Sequence, residues 1–450
     1  MSVKFFLVWS GTATAHVAEQ GFVLLLPTAV YIRAGAAAVA LTVLALFLLP
    51  PRVIRVFFAA RRFRAPDFPT AKMITSLGSF GVAVFVFHVG LTGPRDPLSN
   101  VMSLWVWTLG WIGLVSLSGI FGNLWHWLNP WTGLYRLIAP ADPPLRLPAG
   151  LGQWPALVSL ICFAVFLLVD IAPDDPARLA VLGGVYWIAV MGGLILFGPD
   201  WLARAELGHA ITSAYARLAT LRLGRDGGLG GPGWQLVECP PSRAAGLFAL
   251  TLLAIGSFDG LNETFWWLAA IGVNPLEFPG RSAVVLENLS GLAAAVLALI
   301  AVFALAVRLG LRMADHEGFG RAFNWMAVGV LPIALAYHIA HYLTSFLVTI
   351  QYTLAGTSDP FATGTDWLGI QPFYVTTGFF NRIDSVRVIW STQAGVVVLG
   401  HVWSVLLSHR IALSIQPDPR KAARLTLPLS ILMIGYTFLG LWLLAAPRGA

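Results

Sequence analysis

The run from Leu331 to Ile350, LPIALAYHIAHYLTSFLVTI, decides the class of fold. It carries no Asp, Glu, Lys or Arg over twenty residues, about the length an α-helix needs to cross a hydrocarbon layer of ~30 Å. Inside it stand His338 and His341, three residues apart, with Tyr337 and Tyr342 beside them. Residues at that spacing project from the same helix face. Ionisable side chains at membrane depth are costly and are functional candidates by default. Two readings stay open here. The histidines form part of a metal site, or they hydrogen-bond to neighbouring helices and join them.

Composition generalises from this run to the chain. Of 450 residues, 57% are hydrophobic and only 11% are charged, against about 25% charged in soluble domains. The chain therefore reads as an all-α polytopic membrane protein whose first partner is the lipid bilayer. Its net charge of +7 comes largely from Arg in short loops, where basic residues set topology, so it is not a nucleic-acid footprint. The two cysteines, Cys162 and Cys239, sit far apart and imply neither a disulfide framework nor a thiolate metal site. Walker A, H-E-x-x-H, C-x-x-C and G-x-S-x-G motifs are missing, which disfavours ATP-driven transport, zincin proteolysis and an α/β-hydrolase triad.

About ten spans are expected, over residues 30–50, 71–92, 100–121, 153–171, 178–198, 244–270, 285–308, 325–350, 388–409 and 425–446. Every second loop is basic. Arg52, Arg55, Arg61, Arg62 and Arg64 fall in the first, Arg136 and Arg146 in the next, then Arg204, Arg217, Arg222, Arg225 and Arg243. Arg308, Arg312 and Arg321 follow, then Arg410, Arg420, Lys421 and Arg424. The positive-inside rule then puts both the N-terminus and the C-terminus on the outer face. The opening MSVKFFLVWSGTATAH has Lys4, a short apolar core and an Ala13-Thr14-Ala15 site, the pattern of a signal peptide over 1–15 cleaved before His16. That leaves one polytopic domain, 16–450, expected in a bacterial inner membrane. Two cytoplasmic stretches, RVIRVFFAARRFR and GNLWHWLNPWTGLYRLI, read as interfacial, the second as an aromatic anchor.

Few other ionisable residues lie near the spans. Asp259 and Glu263 belong to FDGLNETFWW at the outer end of the sixth, Glu287 begins the seventh, and His88 lies near the outer end of the second. His401 is deeper by about two helical turns. A Zn or Cu ion held by His338 and His341 needs a third ligand, and topology offers His16, His88, Glu263 and Glu287. A freed His16 can chelate copper through its α-amine and imidazole. Against these stand plainer roles, in which Asp259, Glu263 and Glu287 cap helices or pair with Arg281, Arg382 and Arg387. The irregular 259–284 stretch reads as a re-entrant or outer-surface segment roofing a pocket.

Taken together, TAHVAEQGFVLLLPT, LNPWTGLYRL, FDGLNETFWW, AYHIAHYLTSFL, GHVWSVLLSHRIAL and LMIGYTFLGLWLL resemble bacterial membrane proteins of the fenitrothion hydrolase-like type, over nearly the whole chain. The resemblance implies hydrolysis of a hydrophobic organophosphorus triester; it carries over no catalytic residue. Such chemistry asks for a nucleophilic water, made potent by a divalent metal. His338 and His341 are the expected metal ligands and Glu263 or Glu287 the expected base. The competing classes are a copper-handling or small-molecule transporter and a non-catalytic subunit of a membrane complex. A transporter requires polar residues across both leaflets, a hydrolase one outer pocket.

Overall fold

The computed structural model describes residues 26–139, 142–224, 226–238 and 240–448. The expected signal peptide and His16 lie outside them. Each of the ten apolar runs forms a helix: α1 (Thr28–Leu48), α2 (Pro69–Thr92), α3 (Val101–Phe121), α4 (Trp154–Val169), α5 (Pro176–Phe197), α6 (Arg243–Leu261), α7 (Val285–Ala314), α8 (Leu331–Ser358), α9 (Ile383–Ile415) and α10 (Pro419–Ala445). Among the described residues nine are long and apolar enough to cross a membrane, with α8 counted together with the helix Phe319–Ala327 before it; α4, at 16 residues, is shorter. The protein is a multi-pass all-α membrane protein.

Local signals set the helix starts. Asp175, Ser242 and Asp418 accept backbone N–H bonds at the beginnings of α5, α6 and α10, which answers donors that a helix leaves open in its first turn. Proline stands in the first turn of α2, α4, α5, α8 and α10, where its missing N–H costs nothing.

Packing places α8 at the centre. An 18-residue stretch of Phe319–Ser358, which contains α8, is 83% buried inside the protein, against 22% for the corresponding stretches of α2 and α7. Polar residues on so buried a stretch meet other helices rather than lipid. α8 packs on α9 and on the middle of α3, and α6 lies along it as well. Around this centre α10 joins α1, α7 and α9. The outer surfaces keep large apolar side chains exposed, among them Leu41, Leu44, Val82, Leu297 and Leu399, as contact with lipid requires. Small residues allow the closest approaches. At Gly310 a Cβ would land on the Leu425 carbonyl of α10.

Two helices carry a change of backbone register. Trp105–Leu114, in the middle of α3, is π-helical and is flanked by α-helical turns. Where a π-helix returns to an α-helix, one carbonyl is left over for each N–H that changes partner, and such bulges mark functional positions often. Ahead of α8, Val328–Val330 forms a 3₁₀ turn.

The loops that hold most of the arginines gather at one end, here termed the basic end. RVIRVFFAARRFR forms the helix Pro51–Phe57 and then β1 (Ala60–Arg62). This strand joins β2 (Leu221–Arg222) and β3 (Gly228–Gly230) in an antiparallel sheet of order β1–β3–β2. The Trp-rich stretch is folded inward rather than spread as an anchor. Trp131 and Tyr135 are buried, and Trp131 Nε1 donates to the Trp187 carbonyl of α5 at 3.0 Å. Asn129 makes the turn that reverses the chain, its Oδ1 accepting from Thr132 N at 2.9 Å.

Replacing Gly310 by Ala is expected to destabilise the α7–α10 contact by about 1–3 kcal/mol, the usual range for overpacking. Gly435→Ala, where an added Cβ meets nothing, is expected to hold or raise stability. Thermal unfolding of the two variants in detergent checks both outcomes.

Candidate functional site

The ionisable residues converge where α6 and α10 end against the side of α8. His341 is the centre. Its Nδ1 accepts from Arg448 Nη2 at 3.2 Å, so that nitrogen carries no proton. Its Nε2–H therefore donates to Asp259 Oδ2, also at 3.2 Å. Tyr342 donates its hydroxyl to the same carboxylate oxygen in a short bond. The imidazole thus lies between a carboxylate and a guanidinium, and its ring stacks on Tyr337. The His341 side chain is 7% exposed and that of Asp259 16%. At this burial the three polar groups need one another.

The sequence builds this cluster through an unexpected return. After α6 the chain turns at Thr264, whose hydroxyl caps the short helix Phe265–Ala270 by accepting from Trp267 N at 3.2 Å. That turn holds the last described residues. Phe265 N donates to the Pro447 carbonyl at 2.9 Å, and Thr264 bridges to Arg448. The irregular FDGLNETFWW stretch therefore supplies Asp259 from one side and fixes Arg448 from the other. Residues 262–284 close this end of the bundle as a surface segment.

His338 takes a separate place. Its Nε2 lies 3.0 Å from the Trp111 carbonyl; a carbonyl only accepts, so Nε2 carries the proton and donates. That carbonyl stands at the end of the π-helical stretch, where the register change leaves an acceptor over. Trp111 also packs its ring edge-on against both His338 and Tyr342.

The other expected residues are elsewhere. Glu263 is exposed and forms an ion pair with Arg281 at 3.6 Å. Glu287 lines a shallow groove on the flank of α7 with Leu286, Leu289, Ser290 and Ala293. His88 is exposed, with Phe361 against its ring. None of the three is hydrogen-bonded to His338 or His341. Among the described residues no three His, Cys, Asp or Glu side chains form a group able to hold a metal ion, and His16 lies outside those residues.

A second buried carboxylate escaped sequence reasoning. Glu206, between the short helices Asp200–Ala205 and Leu207–Ala216, is 1% exposed. It accepts from Gly208 N at 2.7 Å, His209 N at 2.6 Å, Trp125 Nε1 at 2.7 Å and Tyr186 Oη at 3.1 Å. Burial holds its carboxyl above the usual range even so. Its role is to cap a helix and anchor the inward-folded Trp125 segment, and nothing in the sequence set it apart from Asp200, Asp226 and Glu238 in the same basic region.

In comparisons with family models, curated proteins and solved structures, the chain matches none.

Two outcomes follow from these charges. Arg448→Met is expected to cost about 3–5 kcal/mol, because it strips a cation from a buried cluster. Asp259→Asn is expected to be costly too, while the double variant costs less than the sum by roughly 1 kcal/mol or more. A double-mutant cycle of unfolding free energies measures this. At the basic end, burial and the neighbouring His126 push His209 down to about 4. The unfolded chain then binds the extra proton first, so stability is complete above the ordinary histidine range near 6.5 and falls as pH drops toward 4. Unfolding temperatures measured across that window are expected to lose part of their acid slope in His209→Gln.

Proposed function

We propose that the protein is a membrane-embedded hydrolase acting on a hydrophobic, organophosphorus-type ester from the outer side of a bacterial inner membrane. The observation that carries this reading is the Asp259–His341–Arg448 arrangement, a buried carboxylate and imidazole with a guanidinium beside them. Positive-inside logic puts the C-terminus and the ends of α6 and α10 outside, and the motif resemblance supports the substrate class.

The chemistry runs as follows. A neutral triester partitions into lipid and reaches the cluster from the side. Arg448 leaves His341 Nδ1 for the phosphoryl oxygen or sulfur, where its charge offsets the negative charge that grows during attack. The freed Nδ1 takes a proton from water as the water oxygen bonds to phosphorus. Asp259 holds Nε2–H and stabilises the imidazolium that forms, and Tyr342 fixes the carboxylate. The bond from phosphorus to the aryl oxygen breaks, and a nitrophenolate leaves without needing an acid. A divalent metal, Zn or Cu, fits this reading only by displacing Arg448 from Nδ1, with His338 as the nearest second imidazole and a third ligand from outside the described residues.

The test is hydrolysis of a nitrophenyl phosphotriester by purified protein in detergent. His341→Gln and Asp259→Asn are expected to lower the rate by about 10²-fold or more, whereas Glu287→Gln leaves it unchanged. No difference between wild type and His341→Gln overturns the reading. Metal analysis of the same samples separates the route through Arg448 from one through a bound ion: metal present in wild type and lost in the His338→Ala/His341→Ala variant favours the ion.

A further inference from the structure

Below the cluster, polar side chains continue into the apolar middle of the bundle. We propose that α6, α8, α9 and α10 enclose a water-filled proton path running from the Asp259–His341 centre to the basic end.

The path begins at Tyr337, one turn from His341 on α8. Its ring fits between Gly256 and Gly260 of α6 and Gly440 of α10. Its hydroxyl is buried and has no hydrogen-bond partner among the described residues. Beside it Tyr436 of α10 shares a 2.5 Å bond with Ser257 of α6. The ring of Tyr436 stands 6.4 Å from that of His401 on α9. His401 is 1% exposed. Its Nδ1–H donates to the Val397 carbonyl at 2.8 Å, which leaves Nε2 as a bare lone pair, again without a partner among the described residues. One turn further, Ser404 donates to the Gly329 carbonyl at 2.5 Å, in the 3₁₀ turn ahead of α8. Ser408 follows on the same face of α9, and His409 comes next. Ser408 Oγ and His409 Nδ1 are both buried and unanswered among the described residues.

Serines and threonines bonded back to their own helix are ordinary in membrane spans, and Thr437 is one such case, donating to Met433 O at 2.8 Å. These four atoms are different. Tyr337 Oη, His401 Nε2, Ser408 Oγ and His409 Nδ1 lack a partner among the described residues, in residues 4%, 1%, 2% and 4% exposed, and the last three follow one another along α9. Buried polar atoms without a protein partner are commonly bonded to internal water.

The column is long enough to matter. Gln393 of α9 donates to the Ala340 carbonyl at 2.8 Å, so residue 393 marks the level of His341. From there to Ser408 is fifteen residues, or about 22 Å at 1.5 Å each, most of a hydrocarbon core of ~30 Å. Its lining selects the cargo. Among the described residues the column between Tyr337 and His409 holds hydroxyls and imidazoles but no carboxylate. A proton needs only a chain of such groups and water. His401 Nε2 takes a proton from water on the Tyr436 side, becomes imidazolium, and yields the proton from the same nitrogen toward Ser404. Nδ1–H stays on Val397 throughout, so only O–H and N–H bonds change and one proton moves.

The inference is independent of ester hydrolysis. It is tested in vesicles of purified full-length protein carrying a pH-sensitive dye inside, with an imposed pH gradient and valinomycin–potassium to balance charge. Wild-type vesicles are expected to lose the gradient faster than protein-free vesicles by about tenfold, and Tyr337→Phe and His401→Gln are each expected to remove that gain. Leu399→Phe, on the lipid face of α9, keeps it. Unfolding temperatures equal to wild type show that the variants are folded, and Ser408→Ala serves as the mildest third variant. A wild-type rate equal to that of protein-free vesicles overturns the proposal. So does an unchanged rate in folded His401→Gln, whatever happens to hydrolysis.

Discussion

The structure depends on keeping a carboxylate and a guanidinium balanced against the flank of a helix that is largely enclosed by its neighbours. Moving an isolated charge into such surroundings costs several kcal/mol, so Asp259 and Arg448 are tolerable only as a set with His341 between them. This requirement explains features that otherwise look unrelated. α6 stops at Leu261 and α10 at Ala445, close to one another along α8. The chain after α6 pairs with the chain after α10, through Phe265 N and the Pro447 carbonyl. Without that pairing Arg448 would belong to a loose end, and Asp259 would face α8 with no fixed cation.

Irregular backbone serves the same centre. A regular helix at membrane depth uses all its carbonyls itself. The π-helical stretch in α3 makes the Trp111 carbonyl available to His338, and the 3₁₀ turn ahead of α8 makes the Gly329 carbonyl available to Ser404. Both breaks touch the α8 axis, one on each side of the histidine pair. They give His338 and Ser404 an acceptor each in the middle of the bundle. The glycines that thin α6 and α10 around Tyr337 act similarly, trading helix propensity for room beside a large phenol.

Most of the fold was legible because each span is an unbroken apolar run and hydropathy is a local property. Boundaries shifted where a loop residue capped a helix, as at Asp418, or where polar residues ended one early, as at Asn262 after Leu261. The tertiary pairing at the basic end was not legible, for a different reason. Arg–Phe and Trp-rich stretches have the composition of interfacial anchors, but strand pairing of β1 with β3 and burial of Trp131 against α5 are decided by partners far along the chain. The site was half legible. His338, His341 and Asp259 announced themselves as rare ionisable groups near spans. Arg448 did not, since a terminal arginine reads as topology signal, and only its pairing with the Thr264 turn gives it a place. Glu263 and Glu287 had the right chemistry and topology. Helix phase put Glu287 on the flank of α7, and Glu263 lies past the end of α6 with Arg281.

The sequence posed a choice between one outer pocket and a polar path across both leaflets. The two are less opposed than they first look. In the proposed reaction, attack of water on a phosphotriester ends with a proton on His341 that must leave before the next turnover. Arg448 stands on one side of that ring and the stacked Tyr337 on the other, and Tyr337 is also the first member of the buried column. The centre proposed to release protons and the column proposed to carry them meet at this one residue. The physical distinction between the classes then lies in which way the coupling runs. If protons merely drain through Tyr337 and His401, hydrolysis is the driving event and the column is its outlet. If a proton gradient reaches His341 through the same groups, the protonation of Nδ1 and the position of Arg448 are set from the far side of the bundle.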